Sequence, residues 1–148
     1  MVLIDANLLL YAYHPQAEQH DAAREWLEAT LSGSRFVRFA WLTLWAFVRI
    51  STNPRVFEQP FSTREATAAV SSWLAQPGVD VLEPGERHWE ILQTLMADGQ
   101  TSGARVMDAA LAALAIEHGA TLHTTDRDFA RFGDLEWTNP LTSARGPR

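Results

Sequence analysis

Short apolar runs alternate with longer helical patterns along the chain, beginning with Val2-Leu3-Ile4 followed by Asp5. An unbroken apolar run of this length is typical of a strand buried on both faces. Residues 7–13 then have the pattern of a helix. In open α/β sheets the ligand crevice lies outside the carboxyl ends of the strands. The pattern therefore places Asp5 where such folds bind their ligands.

The rest of the chain continues this alternation. Apolar spacing, capping patterns and turn residues predict helices over 7–13, 18–31, 40–51, from the Ser62 capping box to Pro77-Gly78, 86–97, 106–117 and, as a short helix, 128–132. Strands are predicted over 2–4, 35–39, 79–82, 121–125 and 136–138. Strands separated by helices predict an α/β fold, with a parallel sheet covered by helices on both faces. We expect one domain over 1–142 and a frayed C-terminal tail over 143–148.

The chain has 6 tryptophans, which is many for 148 residues. Aromatic residues are enriched at interfaces, but the nearly all-apolar helix over 40–51 favours a core position for Trp41 and Trp45. Trp73 is predicted to lie in the core as well. Trp89 falls on the apolar side predicted for the helix over 86–97, with Leu92, Leu95 and Met96.

Composition narrows the classes of function. The net charge is −6, so any contact with nucleic acid must be local and cannot come from bulk charge. All 12 basic residues are arginine, which excludes phosphate loops and Schiff-base sites that depend on lysine. Cysteine is absent, and neither a membrane span nor a signal peptide is recognisable. These features are compatible with a cytoplasmic protein.

Aspartates form the main candidate constellation. Asp5 and Asp126 each follow a predicted strand, and Asp108 lies in the first turn of the helix that precedes the Asp126 strand. A crossover helix runs antiparallel to its strands, so its first turn falls at their carboxyl edge. Each aspartate also has a purely structural interpretation. Asp5 and Asp126 are good N-caps, and Asp108 can complement the helix dipole or pair with Arg105.

Carboxylates brought together raise each other's pKa unless a cation lies between them. Oxygen ligands without cysteine or paired histidine favour Mg²⁺, or Mn²⁺, over zinc, and the histidines here have no zinc-ligand spacing. Asn7 and Thr125 lie close to the strand-end aspartates and can bond to ligands or water, although either can equally be a turn residue.

Several blocks, taken in order, resemble PIN-domain ribonucleases, especially VapC-type toxins of bacterial toxin–antitoxin pairs. The blocks are the opening VLIDANLLLYA, FVRISTNPRVF at 47–57, MDAALAALA at 107–115, HGA at 118–120 and TTDRDF at 124–129. The resemblance covers nearly the whole chain. It implies a three-layer α/β/α sandwich and Mg²⁺-dependent hydrolysis of RNA phosphodiester bonds by a metal-activated water.

The resemblance also assigns residues and partners. Asp5, Asp108 and Asp126 would be catalytic and hold the metal, with Asp128 as a weaker fourth ligand. Ala46 stands where the family usually has a glutamate, so one acidic group of the usual set is missing. A cognate antitoxin that blocks the site and a homodimer are implied as well. Arginines are candidates for holding the RNA backbone, namely Arg35, Arg38, Arg49 and Arg55, although Arg49 can equally serve a buried partner.

Two other classes of function remain open. The missing glutamate favours a catalytically weak or inactive module that binds RNA or a partner protein. A phosphatase of the haloacid type or a receiver domain also has a strand that ends in aspartate. The phosphatase needs a second aspartate where Asn7 stands, and both usually need a lysine, which the chain lacks.

Overall fold

A computed structural model describes residues 1–142 and Gly146. Its elements follow in the order β1 (Val2–Ile4), α1 (Ala6–Tyr13), α2 (His20–Ser32), β2 (Val37–Ala40), α3 (Trp41–Ser51), α4 (Thr63–Leu74), β3 (Val79–Leu82), α5 (His88–Asp98), a 3-10 turn (Gly103–Arg105), α6 (Val106–His118), β4 (Thr121–His123), a 3-10 helix (Arg127–Arg131) and β5 (Trp137–Thr138). The predicted tail falls on residues outside the described part except for Gly146, whose N–H donates to the carbonyl of Trp137.

The strands form one five-stranded sheet in the order β3-β2-β1-β4-β5, and every neighbouring pair is parallel. This confirms the predicted α/β fold with a parallel sheet. Strand β1 lies in the centre, because the chain goes from β1 to β2 on one side and returns to β4 on the other. Such a reversal of strand order opens a crevice at the carboxyl edge, and Asp5 lies at that point.

Two separate hydrophobic cores lie on opposite faces of the sheet. Successive side chains of a strand point to opposite faces, so Val2 and Ile4 join the core formed with α1 to α4, whereas Leu3 joins the core formed with α5 and α6. All three side chains are fully buried. The sheet is therefore the middle layer of an α/β/α sandwich, and helices shield both of its faces from solvent.

Local signals set the ends of the helices much as the sequence predicts. The Ser62 side chain accepts from the Glu65 N–H, and the Glu65 carboxylate accepts from the Ser62 N–H, which completes a capping box before α4. Helix α6 ends at Gly119, whose φ of 68° lies in the left-handed region that favours glycine. Strands β1 and β3 have the predicted bounds, while β4 is shorter than predicted and ends at His123.

The predicted burial of three tryptophans is wrong. Trp41, Trp45 and Trp89 are exposed by 41%, 66% and 63%, whereas Trp73 is buried as expected. Helix α3 is apolar on almost every side, and Arg49, four residues after Trp45, is the charged residue in it that marks the exposed side. The structure turns Leu44 and Phe47 inward and leaves both tryptophans of α3 on the surface.

Among the described residues, no helix combines the length and hydropathy that crossing a membrane requires.

Candidate acidic active site

Asp5 lies at the junction of β1 and α1 and has two structural bonds. Its Oδ1 accepts from the Ala6 N–H at 2.7 Å, which caps α1, and its Oδ2 accepts from the Thr124 hydroxyl at 2.7 Å. Burial raises the pKa of Asp5 to about 6, assisted by the charges of Asp108 and Asp126 and opposed by these two hydrogen bonds. Asp5 is therefore the N-cap of α1, which is one of the two roles that the sequence allows. It is also a buried carboxylate whose negative charge is poorly solvated.

Thr124 connects the two strand-end aspartates. Its hydroxyl donates to Asp5 and accepts from the Asp126 N–H at 3.0 Å and from Nδ2 of Asn7 at 3.3 Å. The side chain is fully buried. Sequence reasoning singled out Thr125, yet only the backbone N–H of that residue bonds here, to Oδ1 of Asn7 at 3.5 Å. No local pattern separates Thr124 from Thr125, because the predicted strand runs through both residues while β4 ends at His123.

Asp108 and Asp126 are electrostatically coupled to each other and to Asp5. The pKa of Asp108 is raised, first by burial and then by the charge of Asp126, while Arg105 and Arg131 oppose the shift. Asp126 caps the following 3-10 helix by accepting from the Asp128 N–H at 2.9 Å. The structure thus places the three aspartates within electrostatic reach of one another, at the carboxyl edge where the sequence predicts them.

Arg105 bridges the outer part of the acidic cluster. Its Nη2 lies 2.6 Å from Oδ2 of Asp128, and its Nη1 lies 3.7 Å from Oδ2 of Asp108. The pairing predicted between Arg105 and Asp108 is therefore present but is the looser of the two contacts. The carboxylate of Asp128 is turned toward this guanidinium, and these contacts raise the pKa of Arg105.

A cleft of about 500 Å³ gives access to Asp5 and Asp108. Its walls come from α3 and α6 and include Trp45, Ala46 and Arg49 on the α3 side. The position of the missing family glutamate thus faces the two aspartates, and a methyl group occupies it. No other carboxylate lines this cleft among the described residues.

The donor set is chemically suited to a hard cation, because it consists of carboxylates and is free of sulfur. Burial is the main reason that the pKa values of Asp5 and Asp108 are raised, and repulsion from neighbouring carboxylates adds to it. Within the described part of the chain, however, no three acidic or histidine side chains are already grouped as a cation site.

A second group of charged residues surrounds Glu117, in the last turn of α6. Glu117 accepts from the N–H groups of Gly85 and Arg87, which ties α6 to the loop before α5. Burial alone would raise the pKa of Glu117, but these bonds and the nearby His118 and His88 lower it.

Two of the arginines considered for RNA also lie elsewhere. Arg35 precedes β2, at the amino edge of the sheet, and Arg38 donates to the carbonyls of Val37 and Gly78. Of the arginines considered, Arg49 lines the acidic cleft.

Comparison with known proteins identifies the family of the chain. The family model described as "PIN domain" matches residues 2–135. Ribonuclease VapC33 of Mycobacterium tuberculosis is 42% identical over 141 residues, covering 95% of this chain and 99% of that protein. Ribonuclease VapC37 of the same organism is 41% identical over 140 residues, covering 95% and 97%.

Solved structures are similar in fold at lower identity. VapBC-1 from nontypeable Haemophilus influenzae has a TM-score of 0.67 at 19% identity and covers 96% of this chain and 100% of its own. VapC20 of Mycobacterium tuberculosis has a TM-score of 0.65 at 17% identity, covering 88% and 93%. The resemblance noted in the sequence is confirmed: the chain belongs to the PIN-domain family and, within it, to the VapC ribonucleases.

Proposed function

We propose that this protein is a divalent-metal-dependent endoribonuclease and the toxin of a type II toxin–antitoxin pair. The observation that carries the proposal is the meeting of Asp5, Asp108 and Asp126 in one acidic site, although they are far apart in sequence. Its relatives at 41–42% identity are named ribonucleases. We propose that the nuclease unit spans residues 1–142. We also propose that the protein acts in the cytoplasm.

Mg²⁺ is the proposed ion, with Mn²⁺ as a substitute, because carboxylate oxygens select hard cations. Asp5, Asp108 and Asp126 would hold it, and Asp128 would join them when it leaves Arg105. When bound, such an ion would supply an activated water and compensation for the charge on the leaving oxygen. Thr124 fixes the orientation of Asp5, and Arg49 on the cleft wall offers a cation to the phosphate backbone.

RNA cleavage by the purified protein tests the proposal. We expect Mg²⁺ to support cleavage and the substitution Asp108→Asn to reduce it at least about 100-fold, because even indirect partners of a metal site contribute 10- to 100-fold. Asp134→Asn, an exposed aspartate outside the cleft, is the matched control and should cleave normally. Equal cleavage by Asp108→Asn and the parent protein would contradict the assignment.

Partner proteins belong to the same proposal. Structural neighbours include the toxin–antitoxin complex from Klebsiella pneumoniae, at 17% identity and a TM-score of 0.65. We propose a cognate antitoxin that covers the acidic cleft and a homodimer of this chain. Co-expression with the product of a small open reading frame found directly upstream should give a complex that does not cleave RNA. Light scattering of the purified complex and of the free protein measures how many copies of each chain are present.

A second function has a specific observation in its favour. Ala46 leaves the cleft one carboxylate short, so a catalytically weak module that binds RNA or a partner is the alternative. RNA affinity that is equal with and without Mg²⁺, together with no cleavage at any concentration of the ion, would favour this alternative over the nuclease.

A further inference from the structure

Two exposed tryptophans lie beside the acidic cleft on the first half of α3. Trp41 and Trp45 are exposed by 41% and 66%, and their rings are nearly parallel, with an interplanar angle of 24° and centroids 6.4 Å apart. A contiguous exposed apolar surface of this kind usually marks an interaction site. We refer to these two side chains as the Trp41/Trp45 patch.

The patch is continuous with the candidate active site. Trp45 lines both the acidic cleft and an adjoining apolar groove of about 570 Å³, and Trp41 lines the groove. Leu42 and Met107 also belong to both depressions. A molecule held at Asp5 and Asp108 therefore meets the Trp45 ring as soon as it extends along α3.

Arg49 extends the same face of the helix. Trp41, Trp45 and Arg49 are four residues apart, so they follow one another along one side of α3 over about 12 Å. Arg49 is exposed, lines the cleft, and has no hydrogen bond or ion pair within the described part of the chain. The face thus offers two aromatic rings and one available guanidinium in a row.

We propose that the Trp41/Trp45 patch stacks unpaired bases of single-stranded RNA next to the scissile phosphate, while Arg49 contacts the backbone. The inference rests on the proposed function and specifies its substrate: RNA whose bases are unstacked at the cleavage site. Aromatic side chains bind single strands by stacking, and a base inside a duplex is not available for this contact. The net charge of −6 opposes RNA binding, so any affinity has to come from local contacts such as stacking and Arg49.

Binding of a short labelled RNA by fluorescence anisotropy tests the proposal in the Asp108→Asn protein with Mg²⁺ present. We expect the single strand to bind more tightly than the same sequence in a duplex. Trp45→Ala should weaken single-strand binding about 5- to 150-fold. Trp45→Phe should retain most of the affinity, and Trp45→Leu should lose as much as Trp45→Ala, because leucine is apolar but cannot stack.

Trp89→Ala is the matched control, since Trp89 is similarly exposed, at 63%, and lines neither the cleft nor the groove. Its RNA affinity should equal that of the parent. Arg49→Gln should reduce the slope of log affinity against log salt by about 0.7, while Trp45→Ala should leave that slope unchanged. Circular dichroism and the melting temperature verify that each variant is folded. We expect all of them to fold, because the substituted side chains are exposed.

Three results would overturn the inference. The first is unchanged single-strand affinity in Trp45→Ala. The second is equal affinity in Trp45→Leu and Trp45→Phe, as expected for an apolar contact with a protein partner. The third is a change of oligomeric state in Trp45→Ala without a change in RNA affinity, which assigns the patch to contact between copies.

Failure of this inference is distinguishable from failure of the proposed function. If the parent protein cleaves RNA but Trp45→Ala binds and cleaves normally, only the stacking role is wrong. If the parent never cleaves and yet binds single strands through Trp45, the stacking role stands and the nuclease assignment is wrong.

Discussion

The Thr124 hydroxyl donates to Oδ2 of Asp5 at 2.7 Å, joining residues that are 119 positions apart. This bond lowers the pKa of Asp5, whereas burial and the neighbouring aspartates raise it to about 6. Thr124 therefore offsets part of the effect of burial and helps Asp5 to carry the charge that a cation needs.

Replacing Thr124 by valine should raise the pKa of Asp5 further, because a hydrogen bond to a charged group is lost without a change of shape. Such a bond contributes about 1.5–3 kcal/mol, so the pH midpoint of Mg²⁺ binding should rise by about one to two units. Isothermal titration calorimetry across pH measures the midpoint. Thr124→Ser keeps the hydroxyl and should keep the midpoint, and a Thr124→Val profile that matches the parent would contradict the role.

His123 should make stability depend on pH. Burial lowers the pKa of His123 to about 4, assisted by Arg35 and the N-terminus, while the unfolded value is 6.5. The folded state then binds fewer protons than the unfolded state between these values, so stability is full above pH 6.5 and falls as the pH drops toward 4. The shift corresponds to about 3 kcal/mol in total.

Urea unfolding at a series of pH values measures this loss. His123→Phe keeps a ring against Trp26, whose indole stacks on His123 at 5.6 Å, but removes the titrating group. We expect the variant to lose about 3 kcal/mol less than the parent between pH 6.5 and 4. Parallel stability curves for the two proteins would show that His123 does not carry the effect.

Removal of the Arg105 charge should strengthen Mg²⁺ binding. Arg105 lies near Asp108 and Asp128 and competes with any cation for their charge. The guanidinium is partly exposed and screened, so we expect Arg105→Gln to lower the dissociation constant by about two- to fivefold. Calorimetry at low salt measures the change, and Arg64→Gln on the opposite side of the sheet is the control.

Ala46→Glu restores the missing carboxylate and should change stability in two opposite ways. Without divalent cations the added charge faces Asp5 and Asp108 and should lower the melting temperature. With Mg²⁺ present, binding should become about tenfold tighter and the melting temperature should recover. Ala46→Gln has the same shape without the charge, so similar behaviour of the two variants would refute the electrostatic explanation.

Much of the fold follows from patterns that act locally. The apolar run before Asp5, the Ser62 capping box and Gly119 each specify one end of an element, and the structure has these ends where the sequence indicates them. The meeting of Asp5, Asp108 and Asp126 follows from the parallel topology, since all three lie at the carboxyl edge.

What the sequence leaves open depends on contacts between elements. Helix α3 has a single charged residue, Arg49, to mark the face on which Trp45 is exposed, so the exposure of Trp45 depends mainly on how the helix packs. Arg105 precedes Asp108 by three residues, yet its shorter contact is with Asp128, from the segment after β4. Thr124 and Thr125 are the same residue type, and only the exact end of β4 decides which hydroxyl reaches Asp5.

The central position of β1 has a consequence for how the protein is made. β1 acquires its second neighbour only when β4 pairs with it, and β4 begins at Thr121. A nascent or truncated chain that stops before this strand contains Asp5 and Asp108 but lacks the sheet edge that gathers them with Asp126. We therefore expect such a chain to lack the complete acidic site until β4 has been made and has paired with β1.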